Sequence, residues 1–194
     1  MNQNYRGKFP EAFELAHEAV ELLDEFAPPN VVASCVNTLG IVEVERGNLK
    51  SALESFIKAL HIHRGTKDSL KIGTVLLNIG MIWQNLAELD KAISHYEEAW
   101  QIAYNRRDTN SQIYAFNNIG TVYESIKEDI DSALIFYEKA SFLADSYTHS
   151  SEYTKAALLH NVGTIYLQKE DFPRSKRYLY KAQKIARDAN LEVV

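Results

Sequence analysis

The sequence predicts an all-α fold of about nine helices, arranged as antiparallel pairs in an α-solenoid. Three observations predict it. Only eight glycines and four prolines occur among the 194 residues, too few for the many turns that an all-β fold of this length needs. Apolar residues recur at spacings of three and four, the period of an amphipathic helix. A short motif also recurs about every forty residues, which indicates a repeat architecture.

The recurring motif is a short segment that contains asparagine and ends in glycine. Its four copies end at Gly40, Gly80, Gly120 and Gly163. Each is followed by a pair of small residues seven positions apart: Ala52 and Ala59, Ala92 and Ala99, Ala133 and Ala140, and Ser175 and Ala182. Gly7, Ala12 and Ala19 continue the same register toward the N terminus. The chain is therefore predicted to hold four full repeats preceded by half a repeat.

Each repeat is predicted to form two helices joined by a short turn. The expected helices span 9–26, 31–46, 49–65, 69–86, 89–106, 110–127, 131–147, 152–169 and 172–189. We expect a single repeat domain over 1–194, made of a partial repeat at 5–30 and repeats at 31–68, 69–108, 109–150 and 151–190. Small residues such as Gly40 and Ala52 should let the paired helices approach to about 8–10 Å. A glycine inside a helix costs about 1 kcal/mol relative to alanine, so its recurrence indicates that close approach offsets the cost.

These motifs resemble those of the tetratricopeptide repeat, over residues 5–189. That family carries a Leu-Gly pair, an aromatic three residues after the glycine, and an Ala–aromatic–Ala pattern in the second helix. Trp83, Tyr123 and Tyr166 take the first aromatic position, whereas the first copy has Glu43. The forty-residue period is similar to the extended-helix class of the family, found in bacterial peptide-pheromone receptors and kinesin light chains. The resemblance implies a right-handed solenoid whose first helices line a concave, peptide-binding groove.

The resemblance also implies which residues line that groove, because the family uses fixed first-helix positions around the glycine. The predicted peptide-binding residues are Asn37, Glu45, Asn78, Met81, Gln84, Asn85, Tyr114, Asn117, Asn118, Thr121, Glu124, His160, Asn161 and Gln168. Many are amides, which both donate and accept hydrogen bonds and so suit the peptide units of an extended ligand. The alternative for Asn78, Asn118 and Asn161 is that they tie neighbouring helices together.

The charge of these positions predicts the kind of ligand. They include no lysine or arginine, and an anionic C terminus would meet Glu45 and Glu124 unpaired. The expected ligand is therefore a neutral or mildly basic segment with apolar side chains. Ile41, Leu77, Met81, Tyr114 and Leu167 are candidates for its side-chain pockets, although Ile41 and Leu167 fit a helix-packing role equally well.

The remaining sequence signals argue against catalysis and cofactors. No nucleophile elbow, phosphate-binding loop or dinucleotide motif occurs. His61 and His63 point about 200° apart on a helix and cannot share a metal ion, and Cys35 suits a small buried residue. The formal net charge of −5 argues against a general nucleic-acid surface. We expect no enzyme activity, no metal, no nucleic-acid or membrane partner, and a cytoplasmic location, since the N terminus lacks a signal-peptide pattern.

The last helix pair is unusually basic. Residues 169–187 hold seven lysines and arginines against Glu170 and Asp171. Arg177, Lys181 and Lys184 share one helix face, which is either a solvated outer face or a docking surface for an acidic partner. Neither end of the chain carries a polar capping helix, which solenoids usually need. We therefore expect a fragment of a longer protein, or ends that pair with a partner or with another copy of the chain.

Three functions remain open on the sequence. The first is a non-catalytic scaffold that holds a peptide or protein segment in the groove. The second is the ligand-sensing part of a larger signalling protein, whose attached effector responds to changes in solenoid curvature. The third is a self-association module that uses the uncapped terminal helices.

Overall fold

The computed structural model describes residues 9–22, 26–125 and 129–191. They form nine helices: α1 Phe9–Glu21, α2 Pro29–Glu45, α3 Leu49–Thr66, α4 Ser69–Asn85, α5 Leu89–Asn105, α6 Thr109–Ser125, α7 Ile130–Ser146, α8 Glu152–Gln168 and α9 Phe172–Asp188. No strand occurs among these residues. The expected helices all appear, and their ends agree within two residues except at α1. The first helix, expected to reach residue 26, ends at Glu21, and Phe26 lies in a turn. Residues 23–25 and part of the expected turn around 127–129 lie outside the described residues.

The chain divides into two compact units, Met1–Leu86 and Ala87–Val194. Unit 1 holds α1 to α4 and unit 2 holds α5 to α9. Within each unit, every helix packs against the next one along the chain. Fully buried side chains at the centres of these contacts include Phe56 and Ala52 in unit 1 and Tyr137 and Ala133 in unit 2.

The helix ends use one turn geometry several times. After α2, Gly47 takes a left-handed backbone (φ 80°), and the Asn48 N–H donates to the Glu43 carbonyl at 2.9 Å. This bond satisfies a carbonyl that the helix end would otherwise leave free. The same geometry follows α3, α5, α8 and α9, with Lys67, Arg107, Glu170 and Asn190 in the left-handed position. Side-chain caps begin α4, α7, α8 and α9, where Asp68, Asp129, Ser151 and Asp171 accept backbone N–H groups.

The repeated glycines make room for a large side chain from the paired helix. A Cβ on Gly40 would lie 2.7 Å from the Phe56 ring, and one on Gly120 would lie 2.8 Å from the Tyr137 ring. A Cβ on Gly163 would meet Leu179 at 2.8 Å. Each of these three large side chains lies between the paired small residues of its repeat, four positions after the first of them. It occupies the space that the glycine leaves.

His63 is a buried polar side chain in the packed interface of unit 1. It is 1% exposed, and its Nδ1 has no hydrogen-bond partner among the described residues. Later repeats have Ala103 and Ala144 at this position. Burial lowers the pKa of His63 from its ordinary value of 6.5, against an opposing effect of Asp68.

We expect the stability of unit 1 to fall as the pH drops below about 6.5, because the unfolded chain binds the His63 proton more readily than the folded chain. His63→Leu cannot take up that proton and should flatten the decline. His61→Leu, an exposed position two residues away, serves as the control and should leave the decline unchanged. Urea denaturation between pH 7.5 and 5 measures this; equal pH dependence in wild type and His63→Leu would contradict it.

Candidate functional site

The α2/α4 surface in unit 1 carries the first group of predicted site residues. The side chain of Asn78 on α4 donates from Nδ2 to Oδ1 of Asn37 on α2 at 3.3 Å. Both side chains are half-buried. Asn37 retains its own Nδ2 donor and Asn78 its Oδ1 acceptor, neither of which has a hydrogen bond to another described residue. This surface therefore presents the amide NH2 group of Asn37 beside the amide C=O group of Asn78, both without a bond to another described residue.

The α6/α8 surface in unit 2 repeats this arrangement. Asn161 on α8 donates from Nδ2 to Oδ1 of Asn117 on α6 at 3.0 Å. Asn118, the next residue on α6, is half-buried, and its side chain has no hydrogen bond within the described part of the chain. Two asparagine pairs thus occupy matching positions in the two units. Asn78 and Asn161 do tie neighbouring helices together, which is the alternative that the sequence left open for them.

Glu124 takes part in a hydrogen-bond network inside unit 2. Its Oε2 accepts from the Tyr137 hydroxyl at 2.7 Å, and its Oε1 accepts from Nε2 of Gln168 at 2.8 Å. The Thr121 hydroxyl, 3.2 Å from the Tyr137 oxygen, donates to the Asn117 carbonyl. Burial raises the pKa of Tyr137 above its ordinary value, so its hydroxyl stays a donor. The buried tyrosine therefore holds Glu124, and Glu124 in turn holds Gln168, with Thr121 close beside the tyrosine hydroxyl.

The other predicted site residues differ in exposure. Tyr114 and Leu167 are each 48% exposed, and His160 is exposed on α8. Glu45 and Asn85 are exposed at the ends of α2 and α4, whereas Met81 and Gln84 are half-buried on α4. Apolar surface on these first helices therefore comes from Tyr114 and Leu167 in unit 2, and from half-buried Leu77 and Met81 in unit 1.

The sequence did not reveal the role of Tyr137. Its position was expected to hold a packing aromatic, as Phe56 does in the first repeat. A tyrosine in place of phenylalanine, combined with a glutamate four residues after the repeat glycine, is the signal that could have found the network. Glu43 was likewise noted only as a departure from the aromatic pattern; it is buried and accepts a hydrogen bond from Asn48 Nδ2 at 2.7 Å.

The basic face of α9 is exposed. Arg177, Lys181 and Lys184 all lie at exposed positions. Lys181 Nζ lies 3.8 Å from Asp145 Oδ1, an exposed ion pair of the kind worth little to stability. Among the described residues, no group of three or more His, Cys, Asp or Glu side chains could hold a metal ion. No helix in the same ranges is long and apolar enough to cross a membrane.

Solved structures of other proteins share this fold. BtubC (BKLC) from P. vanneervenii superimposes with a TM-score of 0.83 at 21% identity, covering 99% of this chain and 78% of that one. A kinesin light chain with nearly identical TPR-like repeats from Podosopora anserina gives a TM-score of 0.75 at 15% identity, covering 96% of this chain and 90% of that one. A Rap protein complexed with Competence and Sporulation Factor gives a TM-score of 0.79 at 14% identity, covering 95% of this chain and 51% of that one. The chain is thus an all-α solenoid.

Sequence comparisons match two segments of the chain to one kind of repeat. Residues 32–66 and 156–188 match models of the tetratricopeptide repeat. Tetratricopeptide repeat protein 29 of Trypanosoma brucei brucei is 28% identical over 60% of this chain and 25% of its own length. The 43 kDa receptor-associated protein of the synapse from Gallus gallus is 27% identical over 73% of this chain and 34% of its own length. The chain spans about a quarter to a third of these two relatives, and it contains segments that match the tetratricopeptide repeat.

Proposed function

We propose that the chain is a non-catalytic protein-interaction scaffold that holds an extended peptide segment on its asparagine-bearing first-helix surfaces. The observation that carries the proposal is the repeated asparagine pair, Asn37–Asn78 on the α2/α4 surface and Asn117–Asn161 on the α6/α8 surface. Each pair leaves one amide donor and one amide acceptor available. A peptide unit offers one acceptor and one donor in return, whatever its side chain.

The surroundings of the pairs favour a particular ligand chemistry. Tyr114, about one helix turn from Asn117 on α6, offers half-exposed apolar surface beside the second pair, and Leu167 offers more apolar surface further along α8. Glu124 is already satisfied by Tyr137 and Gln168, and a ligand carboxylate nearby would meet its negative charge. A neutral or mildly basic segment with apolar side chains is therefore the ligand that these surfaces suit.

A ligand-sensing role is the second candidate. It is favoured by the Rap structures, one complexed with Competence and Sporulation Factor and one with the Phr* peptide. This chain covers 51% of each of those chains. The sensor differs from a plain scaffold in requiring an attached effector domain, which the full-length gene would show.

Selection from a random linear-peptide library tests the proposal. We expect enriched peptides to be neutral or mildly basic, and we expect amidation of their C termini to leave the affinity unchanged. In two-dimensional NMR spectra of the labelled protein, the selected peptides should shift amide signals of Asn37, Asn78, Asn117 and Asn161. Shifts confined to other helix faces, or binding that requires a free terminal carboxylate, would contradict the proposal.

A further inference from the structure

Unit 2 contains a cleft on a different face from the asparagine pairs. It has a volume of about 240 Å³ and lies among α7, α8 and α9. Leu159 and Val162 of α8 are buried at its floor, and Ser141 of α7 and Tyr178 of α9 line its sides. At 100° per residue, Leu159 and Asn161 point about 200° apart on α8. The cleft is therefore separate from the proposed peptide-binding surface.

The preceding repeat fills the equivalent place with aromatic side chains of its own. In the register set by the repeat glycines and alanines, Ser141 matches Trp100, Leu159 matches Phe116 and Tyr178 matches Phe136. The ring centroids of Trp100 and Phe116 lie 5.6 Å apart, and those of Phe116 and Phe136 lie 6.1 Å apart. These spacings are typical of packed aromatic pairs. The cleft thus exists where a serine replaces the Trp100 indole.

A charged side chain beside the cleft also matches one in the preceding repeat, where aromatic side chains fill the equivalent place. Lys139 Nζ lies 4.9 Å from the Phe136 ring centroid, a cation–π contact. Lys181 takes the matching position at the cleft beside Tyr178. Asp145, which also lines the cleft, adds a carboxylate that can accept from an indole N–H. The place left by the missing indole therefore retains an apolar floor, an aromatic wall and a cation.

We propose that this cleft binds the side chain of a tryptophan presented by a partner protein. The occupant is an indole because the chain itself places one at the matching position of the previous repeat. Burial of the aromatic ring against Leu159, Val162 and Tyr178 supplies the affinity. Lys181 orients the ring by contacting its face, and Asp145 does so by accepting a hydrogen bond from its N–H group.

The test uses N-acetyl-L-tryptophanamide as the probe and the full chain labelled for NMR. We expect the probe to shift the amide signals of Ser141, Leu159 and Tyr178, and N-acetyl-L-alaninamide to leave them in place. Ser141→Trp should fill the cleft from within and weaken probe binding at least ~10-fold, a loss of about 1.4 kcal/mol. Binding of a library-selected peptide to the asparagine-bearing surfaces should be unaffected, which separates this proposal from the proposed function.

Ser141→Leu is the second variant, because leucine fills the cleft with less volume if tryptophan disturbs folding. It should also abolish the probe-dependent shifts. In folded Ser141→Trp, difference fluorescence against wild type should show a blue-shifted, buried indole. The absence of probe-dependent shifts in wild type, shifts that persist in both filled variants, or a difference emission typical of a solvent-exposed indole in Ser141→Trp would each overturn the proposal.

Discussion

Replacing Gly120 with alanine is expected to lower the free energy of unfolding by up to about 2 kcal/mol. The added Cβ would lie 2.8 Å from two atoms of the Tyr137 ring. That ring is fully buried, and its hydroxyl is held by Glu124, so it has little freedom to move aside. Overpacking of this kind costs about 1–3 kcal/mol, more than the ~1 kcal/mol that alanine gains in helix propensity. Urea denaturation followed by circular dichroism measures the change.

Gly65→Ala is the matched control for this substitution. Gly65 lies near the end of α3, and a Cβ there would have no atom within 4 Å. Helix propensity then acts alone, so the variant should be unchanged or more stable by up to ~1 kcal/mol. The two glycine substitutions are thus expected to have opposite signs. A Gly120→Ala protein as stable as the Gly65→Ala protein would contradict the packing account of the repeat glycines.

Truncating Tyr137 is expected to have a larger effect. Tyr137→Ala removes a buried ring and should cost about 3–5 kcal/mol. Tyr137→Phe keeps the ring but removes the hydrogen bond to Glu124, and should cost about 1–2 kcal/mol because Glu124 regains only partial hydration. Thermal and urea unfolding of the two variants separate the packing contribution from that of the hydrogen bond.

The two positions should also be coupled. In the Tyr137→Ala background, the Gly120 Cβ no longer meets the ring, so Gly120→Ala should stabilise by up to ~1 kcal/mol instead of destabilising. The coupling free energy is then the overpacking cost of about 1–3 kcal/mol, within the range for residues in contact. Equal effects of Gly120→Ala in both backgrounds would show that the Tyr137 ring is not the group that excludes a side chain at this position.

Sequence periodicity predicted the number and order of the helices and, apart from the end of α1, where they end, because the spacing of apolar residues and the repeat motif depend on local structure. It also located the glycines at the helix contacts. The residue that faces the glycine was not predicted: the sequence indicated only that small residues such as Gly40 and Ala52 allow close approach, whereas the structure shows the Phe56 ring in the space beside Gly40. Spacing along one helix cannot show which side chain of the facing helix reaches the glycine.

The left-handed turn positions were only partly predictable. Gly47 signals such a turn, but Lys67, Arg107 and Glu170 adopt the same backbone without that signal. Helix packing on both sides of the turn imposes the conformation there, at some cost in backbone strain. The pairing of Asn37 with Asn78 and of Asn117 with Asn161 depends on residues about forty positions apart. The sequence predicted their shared face, while their mutual contacts required the packed helices.

The central claim is that the asparagine-bearing surfaces hold the backbone of a bound segment. It is tested most directly by the affinity of a library-selected peptide for the variant carrying Asn37→Ala, Asn117→Ala and Asn118→Ala. Gln183→Ala, which removes an exposed amide from α9, is the control. Each lost hydrogen bond is worth about 0.5–1.5 kcal/mol, so the triple variant should bind at least ~10-fold more weakly by calorimetry, while Gln183→Ala binds as wild type does. Unchanged affinity in a folded triple variant would contradict the claim.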